Sequence, residues 1–355
     1  MEQNEKTRKS LISHYKRYPE LKIQDIFKYL HQSSFGCEHL ISDYDLTVER
    51  ILGEYKTANT SDGEYVDQLD GEYSRINLNC LNKGLSAKTL GKLFLKSSKT
   101  EPDSIKNLEA KLNVAKELII ENVLPFSLDK YEKMVMQWRT EGYPPLRHSN
   151  EFREKYKPAY RVISNEFVSF LPLFAKIDKL LKKGSTVVAI DGGSASGKTT
   201  LGQILANIYD CNVFHMDDYF LRPEQRTPER YAEVGGNVDR ERLLEEILLP
   251  LRENKSIEYR RFDCSNFTLS SPVKVATKEL TIIEGAYSMH PALSDYYDLS
   301  VFLDVSPELQ RKRIQKRNTP QMAKQFFERW IPLEETYFCK TKVKQRCDMV
   351  IPICE

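Results

Sequence analysis

Short apolar runs alternate with amphipathic segments along the second half of the chain. The runs predicted as strands are Thr186–Ile190, Asn212–Met216, Leu280–Ile283, Leu299–Val305 and Met349–Ile353. Between them, Arg240–Arg252 places its leucines and isoleucine on one helical face. This alternation is typical of a parallel sheet covered by helices, whose connections are right-handed and whose ligands bind at the carboxyl ends of the strands. We therefore predict an α/β fold for this half.

The first half of the chain carries apolar residues at helical spacing. Three stripes stand out: Ile23, Ile26, Phe27 and Leu30; Leu108, Leu112, Ala115, Leu118 and Ile119; and Tyr131, Met134, Val135 and Trp138. Such stripes indicate helices that bury one face in a core. Residues Thr57–Gly71, which contain two Asp-Gly pairs, are predicted as turns and exposed loop. This half is therefore predicted to be mainly α-helical.

Two structure-breaking segments separate the halves. Gly142–Leu146 contains two adjacent prolines and Pro158 follows, which places the junction between Gly142 and Gly184. Asn165–Leu181 is predicted as a connecting helix. We therefore predict a helical domain over residues 1–160, a connecting helix or linker over 161–184, and an α/β domain over 185–355.

Composition and charge narrow the class of protein. The 355 residues carry 53 basic and 51 acidic side chains, a net charge of +2 that gives no bulk reason to expect nucleic acid or an anionic membrane as partner. The first residues lack the apolar core of a signal peptide, and no apolar run approaches the ~20 residues that span a bilayer. The seven cysteines form no C-x-x-C pair, which fits reduced thiols in the cytoplasm.

One segment between a predicted strand and helix carries the strongest functional signal. It reads GGSASGKTT and comprises Gly192, Gly193, Ser194, Ala195, Ser196, Gly197, Lys198, Thr199 and Thr200. This fits the G-x-x-x-x-G-K-[ST] loop, in which backbone N–H groups surround phosphate oxygens. Lys198 can reach the β- and γ-phosphates, and the Thr199 hydroxyl can hold Mg²⁺. The sequence predicts a P-loop that binds ATP and Mg²⁺.

Acidic residues follow two of the predicted strands. Asp217 and Asp218 come after one strand, and Asp217 is favoured as the base because it directly follows the apolar run. Glu284 ends another strand and is predicted to help hold Mg²⁺. Asp239 opens the Arg240–Arg252 helix, where the residue type fits both an N-cap and a partner for substrate hydroxyls.

Two arginines complete the predicted site. Arg313 and Arg317 lie four residues apart after the Leu299–Val305 strand, so they share one helix face. Beside a nucleotide, such a face can bind phosphates and stabilise the charge that develops during transfer.

The ordered set of segments resembles the uridine kinase and phosphoribulokinase branch of P-loop kinases over residues 185–355. The resemblance rests on GGSASGKTT, Met216–Phe220, Asn237–Asp239, Ile283–Gly285, and the Arg313–Arg317 pair. It implies ATP as phosphate donor, Asp217 as base, Asp239 as the ligand of ribose hydroxyls, and a nucleoside site that includes Tyr259 and Phe262. The chain departs from the family in two places. No histidine closely follows the Tyr259–Phe262 segment, and the family's E-R-G-R lid segment is missing.

The sequence thus predicts a parallel-sheet P-loop kinase domain preceded by a mainly α-helical domain. We expect Asp217, Lys198, Arg313 and Arg317 to be catalytic and the acceptor to be a small hydroxylated molecule, with a nucleoside favoured. A nucleotide-switched ATPase that binds a protein or RNA partner through residues 1–160 is the alternative, and a scaffold that binds ATP without turnover is less favoured. The sequence predicts neither the function of residues 1–160 nor the oligomeric state. Three segments there have ambiguous roles: Phe35–His39, Tyr73–Arg75 and Arg147–His148.

Overall fold

The chain divides into two units, Met1–Lys176 and Ile177–Glu355. The structure is a computed structural model, and it describes residues 2–36, 43–58, 63–98 and 104–354. None of the described helices is both long and apolar enough to cross a bilayer. Within the predicted Phe35–His39 segment, residues 37–39 lie outside the described residues.

Helices form most of the first unit, as predicted. They are α1 (Glu2–Arg17), α2 (Ile23–Phe35), α3 (Tyr44–Thr57), α4 (Ala87–Lys96), α5 (Ser104–Ile120), α6 (Leu128–Thr140), α7 (Asn150–Tyr156) and the first residues of α8 (Leu171–Leu181), which ends in the second unit. The three apolar stripes face the core, where Phe27 stacks on Trp138 at 4.9 Å between ring centroids. Only Met134 among the stripe residues is less than fully buried. The helix predicted over Asn165–Leu181 is α-helical from Leu171 and 3₁₀-helical over Asn165–Phe170.

A small antiparallel sheet in the same unit was not predicted. Its strands are β1 (Val66–Gln68), β2 (Tyr73–Asn77) and β3 (Tyr160–Ser164), in the order β1-β2-β3. The prediction of loop over Thr57–Gly71 is therefore wrong at Thr57, which ends α3, and at Val66–Gln68, while its residues 59–62 lie outside the described residues. A strand of three residues is too short to show a period-2 pattern, and pairing with β2 forms it.

A five-stranded parallel sheet forms the centre of the second unit. The strands are β4 (Thr186–Gly192), β5 (Cys211–His215), β10 (Leu280–Glu284), β11 (Leu299–Val305) and β12 (Met349–Ile353), in the order β12-β11-β4-β10-β5. The predicted strands are confirmed, and so is the fold class. Glu284 pairs in register with Ile190 on one side and with His215 on the other. The carboxyl ends of β4, β5 and β10 therefore meet at one edge of the sheet.

Helices and short hairpins connect these strands. The helices are α9 (Lys198–Ile208), α10 (Pro228–Ala232), α11 (Arg240–Leu243), α12 (Leu249–Arg252), α13 (Pro307–Arg317), α14 (Pro320–Gln325), α15 (Ile331–Thr341) and α16 (Val343–Arg346). The hairpin strands are β6 (Ile257–Tyr259), β7 (Phe262–Asp263), β8 (Thr268–Leu269) and β9 (Val273–Val275), with β6 paired to β9 and β7 to β8.

Two π-helical turns interrupt the helices of the second unit. They span Leu244–Leu248 and Phe326–Trp330, and each precedes a helix that carries a proline in its first turn, Pro250 or Pro332. Proline has no N–H to donate and its ring clashes with the carbonyl four residues earlier, so a wider turn relieves the conflict. The predicted helix over Arg240–Arg252 is thus α11, a π turn and α12.

Two glycines allow the close approach of backbones at the sheet edge. Gly192 has a φ of +149°, and a Cβ there would stand 2.6 Å from the carbonyl oxygen of Leu303. Gly285 has a φ of +143°, and a Cβ there would stand 2.4 Å from the Cβ of Met216. Any larger residue would combine an unfavourable dihedral angle with a clash.

The buried histidine His148 predicts a pH dependence of stability in the first unit. Burial lowers the pKa of His148 to about 4, so the folded state holds the neutral ring. The unfolded chain protonates near pH 6.5, so stability is fully present above that pH and is lost as the pH falls toward 4. We expect the free energy of unfolding to fall by about 2 kcal/mol between pH 8 and pH 5 from this group alone.

Urea unfolding measures this effect through Trp138, which lies in the first unit, in a Trp330→Phe background that removes the other tryptophan. An unchanged or higher free energy of unfolding at pH 5 would contradict the neutral, buried state of His148.

Candidate functional site

The predicted phosphate-binding loop lies between β4 and the first turn of α9. Ala195 and Gly197 have positive φ values of 59° and 100°, which turn the loop and direct it toward the helix. Lys198 opens α9 and is buried, and its Nζ donates to the carbonyl oxygens of Gly192 at 2.9 Å and Gly193 at 3.0 Å. An ammonium beside the N-terminus of a helix forms a positive cradle that fits a phosphate group.

One loop side chain supports the fit to an anion. The hydroxyl of Ser196 is buried and forms no hydrogen bond with the residues that the structure describes. A buried hydroxyl without a partner is costly, and a ligand oxygen would satisfy it.

Thr199 and Glu284 come together as predicted for a cation site. The Thr199 hydroxyl donates to Oε1 of Glu284 at 3.1 Å, across the edge between α9 and β10. Mg²⁺ is usually held by one or two protein oxygens together with substrate phosphates. These two side chains offer a hydroxyl and a carboxylate beside the phosphate loop, so the residues present fit that ion.

His215 also contacts Glu284 and was not predicted as a site residue. Its Nδ1 lies 2.5 Å from Oε1 of Glu284, and this hydrogen bond raises the pKa of His215. The in-register pairing of His215 with Glu284 across β5 and β10 brings the two side chains together. The sequence signal was the position of both residues at the ends of buried strands.

Asp217 lies in a short 3₁₀ turn, Met216–Tyr219, directly after β5. Its side chain is open to solvent on one side, yet the surrounding protein is close enough for desolvation to raise the pKa of Asp217. Lys198 and Arg317 lower that pKa, while Glu284 raises it. The charges that act on Asp217 thus come from the loop, from α13 and from the cation site. A raised pKa makes the carboxylate a stronger base.

Asp218 faces a different set of groups. Its Oδ2 lies 3.7 Å from Nε of Arg261, and its backbone carbonyl accepts a hydrogen bond from Arg242 at 2.6 Å. Lys198 lowers the pKa of Asp217, whereas the largest charge effect that lowers the pKa of Asp218 comes from Arg261. This geometry fits the preference for Asp217 as base.

Both predicted arginines lie on α13, on the side of the helix that faces the site. Nη1 of Arg313 donates to the carbonyl of Ala195 at 3.1 Å, and Gln310 one turn earlier donates to the carbonyl of Ser194 at 2.9 Å. Arg317 acts on the Asp217 carboxylate. The helix therefore brings the Arg313 guanidinium to the loop, while the exposed Arg317 guanidinium lies 5.6 Å from the centroid of the Phe326 ring.

Asp239 is fully buried at the start of α11. Its Oδ1 accepts the backbone N–H of Arg242, so it is an N-cap, while Oδ2 forms no hydrogen bond with the described residues. Nε atoms of Arg222 and Arg242 lie 3.5 Å and 3.4 Å from Oδ2. The cap role is present, and the second oxygen retains capacity to accept a further hydrogen bond.

Tyr259 and Phe262, the two aromatic residues expected at the nucleoside site, pack against other aromatic rings. The Tyr259 ring is buried and packs edge-on against Phe214, and its hydroxyl accepts a hydrogen bond from Arg261. Phe262 is buried beside Phe267 and Arg226 in the β7–β8 hairpin region. In the described part of the chain, neither side chain forms a hydrogen bond or cation–π contact with Lys198, Asp217 or Glu284.

Two further carboxylates at the loop carried no sequence signal. Glu334 on α15 accepts the Ser194 backbone N–H at 2.8 Å and its hydroxyl at 2.6 Å, and burial raises its pKa. Asp191 in β4 accepts hydrogen bonds from the N–H groups of Gly192 and Met289 and from the Tyr337 hydroxyl, while burial raises its pKa to about 6. Glu334 lies far along the chain from the loop, so spacing could not reveal it.

Comparison with known proteins supports the resemblance of this half. Residues 187–321 match the model of the Phosphoribulokinase / Uridine kinase family. A uridine kinase of Macrococcus caseolyticus is 29% identical over 134 residues, which cover 35% of this chain and 65% of that protein. A uridine kinase of Staphylococcus aureus (strain JH9) is 25% identical over 187 residues, which cover 48% of this chain and 88% of that protein.

Among solved structures, one described as a possible uridine kinase from Bacillus stearothermophilus is 24% identical. It aligns with a TM-score of 0.38 over 50% of this chain and 98% of that chain. The predicted resemblance to the phosphoribulokinase and uridine kinase family is confirmed over residues 187–321.

Proposed function

We propose that this chain, whose C-terminal half carries the P-loop kinase fold of the phosphoribulokinase and uridine kinase family, transfers the γ-phosphoryl group of ATP to a hydroxyl of a small molecule. The observation that carries the proposal is the grouping of Lys198, Thr199, Glu284 and Asp217 at one edge of the sheet, with the charge of Arg317 acting on Asp217. Phosphoryl transfer depends on positioning and charge neutralisation, and these groups supply both. We further propose the cytoplasm as its location.

Each side chain has a distinct role in this proposal. Asp217 accepts the proton of the acceptor hydroxyl, whose oxygen then bonds to the γ-phosphorus as the bond to the β–γ bridging oxygen breaks. Lys198 and the loop N–H groups bind the phosphates, and Arg313 and Arg317 stabilise the charge that develops on the leaving and transferring groups. Mg²⁺, held by Thr199 and Glu284, would neutralise phosphate charge.

A nucleoside is the acceptor that we favour. The two relatives above are called uridine kinases, and Oδ2 of Asp239, which is ion-paired with Arg222 and Arg242 but accepts no hydrogen bond from the described residues, can accept one from a ribose hydroxyl. No histidine closely follows Tyr259–Phe262, so this chain lacks a residue that the family resemblance leads us to expect beside the pyrimidine base. Another hydroxylated metabolite is therefore the second acceptor class to test.

The test uses the purified full-length chain with ATP and Mg²⁺. Uridine, cytidine, adenosine and a set of non-nucleoside alcohols and sugars are each added, and ADP and the phosphorylated product are measured. A phosphorylated nucleoside supports the proposal in full, and a phosphorylated non-nucleoside changes only the acceptor. ATP hydrolysis that no small molecule stimulates, but that a protein or RNA fraction does, would favour a nucleotide-switched ATPase instead.

Glu334 predicts an unusual effect of a charge-removing substitution. Its carboxylate accepts the N–H of Ser194 and is attracted to Lys198. The negative charge of Glu334 therefore offsets part of the positive charge of the loop. A γ-phosphate there would meet like charge, so Glu334→Gln should tighten ATP binding by roughly tenfold. Isothermal titration with ATP measures the effect.

Glu335→Gln is the matched control, because Glu335 lies on the same helix with its side chain exposed. It should leave the dissociation constant of ATP unchanged. Weaker ATP binding by Glu334→Gln would show that the carboxylate supports the loop rather than competes with the phosphate.

A further inference from the structure

A cavity of about 250 Å³ lies within the first unit and is lined by both apolar and charged side chains. Helices α2 and α3 and strand β3 form its walls, together with the residue that precedes the N-cap of α7. The polar and charged residues that line it and matter here are Lys28, Gln32, Arg50, His148, Tyr160 and Arg161.

Positive charge in this cavity exceeds negative charge. Arg161 donates from both terminal nitrogens to Glu54, at 2.7 Å and 3.1 Å. The single carboxylate among the lining residues is therefore already paired. Within the described part of the chain, Arg50 forms no hydrogen bond or ion pair, and Lys28 donates only to the carbonyl oxygen of Leu146. Burial and Arg75 lower the pKa of Lys28 to about 8. Asp25 attracts this ammonium but forms no ion pair with it, so an anion beside Lys28 would relieve the cost of its burial.

A hydrogen-bonded chain ends at the cavity and involves Asp25, His148 and Tyr160. Oδ1 of Asp25 lies 2.8 Å from Nδ1 of His148, and Nε2 of His148 lies 2.7 Å from the Tyr160 hydroxyl. Asp25 is fully buried and also accepts hydrogen bonds from Ser149 and from the backbone of Lys22. The carboxylate therefore fixes the ring with its proton on Nδ1.

The direction of this chain determines what a ligand must offer. Nε2 of a neutral His148 is an acceptor, so the Tyr160 hydroxyl donates its proton to it. The Tyr160 hydroxyl also lies 3.3 Å from Oε1 of Gln32, which accepts a hydrogen bond from Nε of Arg75 at 2.9 Å, so the closer Nε2 of His148, at 2.7 Å, is the stronger partner for the hydroxyl proton. The Tyr160 oxygen then remains an acceptor, which a hydroxyl of a ligand can satisfy.

We propose that this cavity is a second ligand site, which binds a small hydroxylated phosphate monoester. The ammonium of Lys28 and the guanidinium of Arg50 bind the phosphate, and the Tyr160 oxygen accepts a hydrogen bond from a ligand hydroxyl. Two cations without carboxylate partners match a dianion better than a single carboxylate. The volume suits a small metabolite and is below the range typical of nucleotide-sized ligands.

Binding to the full-length chain is measured by isothermal titration with glycerol 3-phosphate, with glycerol, and with inorganic phosphate. We expect saturable binding of glycerol 3-phosphate and none of glycerol. Arg50→Gln and Lys28→Gln should each weaken the binding by about tenfold or more. Lys56→Gln is the matched control, because Lys56 lies on the same helix as Arg50, is exposed and does not line the cavity.

Tyr160→Phe separates the two contacts. This substitution should weaken the binding of glycerol 3-phosphate and leave the binding of inorganic phosphate unchanged, because only glycerol 3-phosphate offers an alcohol to the Tyr160 oxygen. Thermal unfolding verifies that each variant is folded. The absence of saturable phosphate binding, or an equal loss in Lys56→Gln and Arg50→Gln, would overturn the proposal. Lys198→Ala should bind glycerol 3-phosphate normally, so the outcome is independent of the kinase proposal.

Discussion

Lys198→Ala is expected to reduce phosphoryl transfer by at least about a thousandfold while the protein stays folded. The Lys198 ammonium is the only lysine charge held inside the described phosphate loop, where it donates to the carbonyls of Gly192 and Gly193. Alanine cannot neutralise the charge of the transferring phosphoryl group. The measurement is the rate of ADP formation at saturating ATP with the best acceptor from the panel, beside a thermal unfolding curve.

Lys340→Ala is the control for removal of a lysine charge, since Lys340 is exposed on α15. We expect its rate to match that of the unaltered protein. A Lys198→Ala variant that retains more than about a tenth of the activity would remove this residue from its proposed role.

Asp217→Asn should lower turnover by about a hundredfold to ten-thousandfold and change ATP affinity little. Asparagine keeps the size and the position of the side chain but cannot accept the proton of the acceptor hydroxyl. The Asp217 side chain forms no hydrogen bond or ion pair with the described residues of the loop, so removal of its charge should not displace the loop. Steady-state kinetics give turnover, and titration with ATP gives the dissociation constant.

Asp218→Asn distinguishes the two neighbouring acids. Asp218 lies beside Arg261 rather than the loop, so its loss should change the Michaelis constant of the acceptor more than turnover. If Asp218→Asn abolished turnover and Asp217→Asn did not, the assignment of the base would be reversed.

Much of the second unit could be predicted because its strands are buried on both faces. Continuous apolar runs such as Leu299–Val305 are strong signals, and the order strand, glycine loop, helix fixes the direction of the loop. The π turns could not be predicted from the hydrophobic pattern, because they depend on how each helix accommodates a proline in the following turn.

The site was only partly predictable for a similar reason. Asp217, Glu284 and the Arg313–Arg317 pair stand at the ends of elements whose position the parallel sheet dictates. Glu334, by contrast, reaches the loop from 140 positions away along the chain, by the packing of α15. In the first unit, Arg75 and His148 stood in ambiguous segments because their significance depends on tertiary neighbours, such as Tyr160 and Asp25.

The most direct test of the central claim follows the terminal phosphate itself. The protein is incubated with ATP labelled in the γ-phosphoryl group and with a small-molecule extract, and the products are separated and identified by mass. We expect the label to appear in one hydroxylated metabolite with unaltered protein, and in none with Lys198→Ala. Label that appears solely as inorganic phosphate, at the same rate with and without the extract, would contradict a kinase.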